Sequence, residues 1–152
     1  MSQLIPLVVL TIGEQRYALH LSAVDRVVQA VEITPLPVAP PSVLGIINVH
    51  GRLLPVLNLR YRFHLADRDL DVDDQFILAH TARRKVVLVV DRVLNIVEIP
   101  AQEIVSPEQI FPALEQIEGV VKLADGLVLI HDLDTFLSHE EEQALDSALE
   151  TI

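Results

Sequence analysis

Residues 24–33 read VDRVVQAVEI and residues 90–99 read VDRVLNIVEI, identical at seven of ten positions. A second pair of echoes follows. Residues 45–59 read GIINVHGRLLPVLNL and residues 119–133 read GVVKLADGLVLIHDL, each a glycine, two apolar residues and an apolar run ending in Leu. The two offsets, 66 and 74 residues, are too long for a solenoid of short units. They describe one small module present twice. A chain built by duplication points to a scaffold rather than to a single catalytic cleft.

Each half of the 152 residues, roughly 70, is marginal as an independent fold. Hydrophobic residues make up 51% of the chain, so two halves sharing apolar surface have ample material for a core. The chain is read as one domain over residues 1–152. Its first module spans about 4–64, an acidic connector 67–74, a second module about 75–137 and a terminal helix about 139–150. The absence of cysteine excludes a disulfide framework and a Cys-based zinc site. No basic stretch followed by an apolar core marks a signal peptide, and no apolar run approaches the roughly 18 residues of a membrane helix. The expected location is therefore the cytoplasm, without direct membrane insertion.

The net charge of −11 is uneven: residues 67–74 carry −4 and residues 138–152 carry −5, so the body is nearly neutral. Such a balance argues against a nucleic-acid partner, whose phosphates need a basic footprint. Two basic groups stand out. Arg83, Arg84 and Lys85 read as a solvated hairpin turn. Arg52, Arg60 and Arg62 read as an exposed strand face, with an acidic protein partner as the alternative.

Strands dominate the pattern. Residues 4–12 and 17–21 flank a turn at Gly13. Residues 46–49 and 53–59 flank His50-Gly51-Arg52, with Pro55 expected at an edge or bulge. Residues 76–79 and 86–90 flank Arg83-Arg84, and VVLVV at 86–90 suits a strand buried on both faces. Residues 119–123 and 127–130 flank Asp125-Gly126, a hairpin signal. Four prolines within residues 34–41 make a stiff connector. A short helical turn is expected after Ser106-Pro107. Ser138 and Glu141 form a capping box, and Ala144, Leu145, Ala148 and Leu149 give the helix one apolar stripe. About five strands per half is the count of a small SH3-like barrel.

Motifs for chemistry are absent. The six histidines fall into no metal spacing, and no nucleophile elbow or phosphate-binding glycine loop occurs. The acids at 67, 69, 71 and 73 imitate the start of a calcium loop, but Val72 stands where the glycine belongs and Leu78 where the glutamate belongs. The carboxylates of connector and tail are expected to titrate normally. No catalytic residue, metal or cofactor is expected.

The stretch GIINVHGRLLPVLNLRYRF at 45–63 resembles the glycine–asparagine–arginine–glycine signature of CheW-like chemotaxis coupling proteins. LVVLTIGEQRYALHLSAVDRV is similar to that family's opening hairpin, VVLVVDRVLNIVEIPAQEI to its second-module core and HEEEQALDSAL to its terminal helix. The resemblance implies a mainly β fold of two intertwined five-stranded SH3-like β-barrels with a C-terminal α-helix. It implies a non-enzymatic adaptor with two partners. One is the regulatory domain of a chemotaxis histidine kinase. The other is a chemoreceptor's cytoplasmic helical hairpin tip, packed in an apolar groove between the modules. Association with membrane arrays would then run through receptors only.

Carried onto this chain, the partner-binding candidates are Val24, Arg26, Gly45, His50, Gly51 and Leu53. For the two glycines the competing explanation is backbone geometry, and for Val24 and Leu53 it is core packing. Arg26 and His50 depart from the family's usual glutamate and arginine. If they meet across the barrel, the usual ion pair is gone and partner contacts have shifted. Within the family, a non-flagellar chemosensory system is an alternative role. A small-molecule sensor using the inter-barrel groove is an alternative of another class, and it predicts a closed apolar pocket.

Overall fold

The computed structural model describes residues 3–106, 117–124 and 126–151. Ten strands run in chain order: β1 (Leu4–Ile12), β2 (Gln15–His20), β3 (Val24–Gln29), β4 (Val43–Val49), β5 (Arg52–Leu57), β6 (Gln75–His80), β7 (Lys85–Val90), β8 (Arg92–Pro100), β9 (Ile117–Leu123) and β10 (Gly126–His131). A four-residue helix α1 (Leu59–Arg62) follows β5, and α2 (His139–Glu150) follows β10. The helical turn expected after Ser106-Pro107 falls outside the described residues.

The strands form two five-stranded sheets, β8-β1-β2-β10-β9 and β3-β6-β7-β5-β4. Numbered within each repeat, the two orders are the same. Each sheet takes the opening hairpin of one repeat and the last three strands of the other. The hairpin β1–β2 pairs with β8 and β10, while β6–β7 pairs with β3 and β5. The acidic connector at 67–74 thus joins two repeats that share their strands between the sheets. A half severed there would leave both sheets incomplete, and this exchange of hairpins is what intertwines the repeats.

Both sheets curl into the SH3-like shape in the same way. The chain leaving the edge strand β3 bridges to the opposite edge, with Thr34 and Ile46 exchanging backbone hydrogen bonds of 3.0 and 2.8 Å. The chain leaving β8 does likewise through Val105 and Val120, at 2.8 Å each way. This crossing explains the echoed glycines. A Cβ on Gly45 would lie 2.2 Å from the Thr34 carbonyl oxygen, and one on Gly119 would lie 2.5 Å from Ile104 Cγ2.

Alternation along the strands builds three cores. On β7, Val86, Leu88 and Val90 face a large core shared by both sheets, while Val87 faces the interior of its own sheet. VVLVV is thus buried on both sides, at the centre of the second sheet. On β2, Tyr17 and Leu19 face the shared core and Ala18 the interior of the first sheet. Pro55 is not at an edge, because β5 lies between β7 and β4. It is tolerated because pairing with β7 begins only at Val56, so no partner there needs its missing N–H.

Helix α2 starts with the expected capping box, Ser138 Oγ accepting from the Glu141 N–H at 3.1 Å and Glu141 Oε1 accepting from the Ser138 N–H at 3.0 Å. Leu145 and Ala148 are fully buried in the shared core. Charged contacts latch the helix from the other side. Arg62 donates to both carboxylate oxygens of Glu141. Arg84 donates to Glu142 at 2.7 Å and to Asp146 at 2.5 Å. Arg83 and Arg84 are therefore not simply solvated, and Arg60 and Arg62 are not an open face: Arg60 bonds Asp91 at 2.9 Å.

One acid of the connector is buried, and one of the tail has a shifted pKa. Asp74 is buried and bonded by Arg68 at 2.7 Å, and Arg68 reaches Asp91 at 2.8 Å as well. Burial pushes the Glu141 carboxyl up, but the neighbouring Ser42 hydroxyl, the Ser138 N–H and the Arg62 guanidinium outweigh it and hold the pKa down at about 2. His131 is buried between Phe63 and Phe136, with ring centroids at 5.1 and 5.7 Å. Burial, helped by the Arg62 charge, lowers its pKa to about 3, so it stays neutral.

Candidate functional site

Three elements of the second sheet meet around a cleft of about 230 Å³. The first is the start of β3. Its pairing with β6 slips between Val24 and Arg26, so Asp25 bulges out of the ladder. A bulge re-aims the side chains beside it. Here Asp25 Oδ1 lies 2.9 Å from His80 Nδ1, while Arg26 lines the cleft.

The second element is the β4–β5 hairpin. Val49 pairs with Arg52, which leaves a two-residue loop of His50 (φ 51°) and Gly51 (φ 84°). Two positive φ values are what a type I′ loop needs to match strand twist. Glycine adopts them freely, and histidine is among the few side chains that tolerate them. The Asn48 side chain locks the loop by accepting the Gly51 N–H at 2.8 Å. This places His50 and Arg52 on the rim.

The third element is the first residue of β7, Lys85, which pairs with His80 across the β6–β7 turn. Thr81 closes that turn, its N–H donating to the Arg84 carbonyl at 2.8 Å. Asp134 holds it from outside by accepting the Ala82 N–H at 2.8 Å.

The floor is aliphatic: Val49, Leu54, Leu78 and Ala79. The rim is cationic. Arg26, Arg52 and Lys85 are exposed, and none makes an ion pair or side-chain hydrogen bond among the described residues. Asp25 is the single carboxylate in the lining. On a chain of net charge −11, this concentration of unpaired cations is a local inversion. Most other arginines are consumed internally: Arg60, Arg62, Arg68, Arg83 and Arg84 all pair with carboxylates.

Two of the six sequence candidates, Arg26 and His50, line this cleft together. Gly51 sits in its hairpin loop and Leu53, 46% exposed, on the adjoining strand. Val24 is half-buried at the start of β3 and packs on the shared core. Gly45 is buried, and the crossing at Thr34 gives it a packing role. Sequence reasoning missed Lys85 as part of the site. Lys85 directly follows Arg83 and Arg84, yet it lines the cleft while they pair with Glu142 of α2.

A second cavity, about 330 Å³, opens between the two sheets. It is not the apolar groove the resemblance implied. His20, His80, Glu118, Asp132 and Asp134 line it beside Leu19 and Leu133, and His20 Nε2 lies 2.7 Å from Glu118 Oε2. Burial raises the Asp132 carboxyl pKa. None of the cavities described is lined by apolar side chains alone. Among the described residues no group of three or more His, Cys, Asp or Glu side chains converges to hold a metal ion.

The sequence description of the CheW-like domain matches residues 6–141. The chain belongs to the CheW-like domain family. Similar curated proteins include "Chemotaxis protein CheW" of Treponema pallidum, 28% identical over 145 residues and covering 91% of this chain and 85% of that one. The protein of the same name from Rhizobium meliloti is 28% identical over 140 residues, covering 91% and 90% of the two chains. Among solved structures, the scaffolding protein TtCheW from Thermoanaerobacter tengcongensis superposes with a TM-score of 0.82. It is 28% identical, and the match covers 91% of this chain and 96% of that one. The protein is thus a CheW-like, non-enzymatic scaffold of chemotaxis signalling. No helix among the described residues is long and apolar enough to cross a membrane.

Proposed function

We propose that this protein couples chemoreceptors to a CheA-type histidine kinase, binding the kinase's regulatory domain and the receptor's cytoplasmic hairpin tip. The observation that carries this reading is the family match over residues 6–141 together with the likeness in fold to a scaffolding protein. The protein's association with membrane arrays then runs through the receptors it binds. The exposed surface around Arg26, His50, Gly51 and Leu53 belongs to the docking area in this reading, while Val24 packs on the shared core and Gly45 under the crossing chain.

Physical reasoning agrees with a docking role. The two sheets are rigid, since their hairpins are exchanged and their cores shared, and a rigid surface loses little entropy on binding. A calorimetric titration with the regulatory domain of a chemosensory kinase from the same organism tests the reading. Saturable one-to-one binding is expected. Absence of binding to every such domain encoded there would overturn it.

A further inference from the structure

The cationic cleft has a counterpart in the first sheet, and the two differ in a way that identifies an occupant. Matching the repeats strand by strand sets His50 against Ala124, Arg52 against Gly126 and Lys85 against Gln15. Three of the four basic rim side chains are missing from the counterpart. Gln15 lies across that edge instead, its amide donating to the Leu127 carbonyl at 3.1 Å. The fold therefore does not require cations at these positions. The first sheet takes the same strand order without them.

Unpaired cations of one sign, held apart on three different strands, repel one another and gain nothing from the folded chain. Arginines elsewhere in the molecule show what happens when a carboxylate is available: Arg68 reaches two and Arg84 reaches two. The one carboxylate of the cleft, Asp25, lies against His80 instead. Below the rim, Leu54 and Leu78 offer an apolar floor.

We propose that this cleft seats an acidic segment of a protein partner, with carboxylates on Arg26, Arg52 and Lys85 and one apolar side chain over Leu54 and Leu78. The inference rests on the docking reading above and sharpens it. A free anion would use the cations alone, whereas an acidic helix or strand also uses the floor. The negative charge of the connector at 67–74 and the tail at 138–152 repels an acidic partner at long range, so the cleft selects a binding orientation as well as a partner.

The experiment is a titration of the full-length, isotope-labelled protein with a synthetic amphipathic peptide of glutamate and leucine, followed by backbone amide shifts. A peptide with lysine for glutamate is the control. Saturable shifts at Arg26, Gly51, Arg52 and Lys85 with the acidic peptide, and none with the basic one, are expected. The double variant Arg52→Glu with Lys85→Glu should weaken binding about tenfold or more, and added salt should weaken the wild type. Both side chains are exposed, and Arg52→Gln with Lys85→Gln, which adds no charge, should act in the same direction with smaller size. Unchanged affinity of both variants, or shifts confined to other surfaces, would overturn the proposal. So would identical shifts with inorganic phosphate, which would reduce the cleft to a simple anion patch.

The same variants tested against the kinase regulatory domain and a receptor tip fragment separate the two levels. If both partners bind wild type and variants equally, the adaptor reading stands and the cleft proposal falls. If the wild type binds neither partner while the acidic peptide still seats in the cleft, the adaptor reading falls and the cleft proposal stands.

Discussion

The two sheets share one strand order, yet the second carries Arg26, Arg52 and Lys85 around an aliphatic cleft at its hairpin loop and a helix latched to its flank. What the repeats retain goes with the shared strand order: the VDRV and VEI segments at and around the edge strands β3 and β8, the glycine under each crossing chain and the leucine after each closing hairpin. What they have lost in common lies on the surface. His50-Gly51 stands against Ala124-Asp125, and Lys85 against Gln15. Duplication preserved the packing and released the rim, and the rim is where a scaffold acquires partners.

That comparison can be broken first at the glycines. At Gly45 the added Cβ would strike backbone, the Thr34 carbonyl at 2.2 Å, whereas at Gly119 the nearest atom is the end of the Ile104 side chain at 2.5 Å. Gly45→Ala should therefore cost about 3–4 kcal/mol in urea unfolding and Gly119→Ala about 1–2 kcal/mol. Equal losses would mean that the two crossings are not built alike.

The helix is the next difference. Leu145 is fully buried where α2 meets the shared core, and Leu145→Ala should cost about 3 kcal/mol. A loss below about 1 kcal/mol would show that the charged latch alone holds α2.

The latch itself is tested by pH. The folded pKa of Glu141, about 2, lies below its ordinary value of 4.5. Its stabilisation is therefore fully present above about pH 4.5 and is lost as pH falls toward 2. Glu141→Gln should lower stability by about 2 kcal/mol at pH 7, after allowance for partial exposure, and should leave stability at pH 2 nearly unchanged. A difference between the two proteins that persists at pH 2 would place the effect outside this ion pair.

The smallest effect is at the loop. His50 holds φ at 51°, so His50→Gly should stabilise the hairpin by up to about 1 kcal/mol. The matching Ala124→Gly, where the described backbone shows no positive φ, should do the opposite.

Much of this architecture was legible in the residues. The repeat showed the duplication, and alternation, turn residues and the capping box placed eight strands and α2. Alternation alone does not show the exchange of hairpins, because a period-two pattern is satisfied equally by either sheet; only the resemblance implied intertwined barrels. α1 was read as the end of a strand. Its signal is Asn58, whose side chain accepts the Tyr61 N–H at 3.1 Å, a cap hidden behind an apolar run. The latch was invisible for another reason. Arg62 and Glu141 are 79 residues apart, and nothing local tells a paired arginine from a solvated one. The cleft was half legible: Arg26 and His50 stood out as departures from a resemblance, while Lys85 required the fold to bring it to them.

The central claim is that this protein joins a receptor to a kinase. The most direct measurement is co-sedimentation of a chemosensory kinase with vesicles bearing receptors from the same organism, with and without this protein. The account predicts that the kinase pellets with the vesicles when the protein is present and stays in solution when it is absent. Equal kinase in the pellet under both conditions would contradict it.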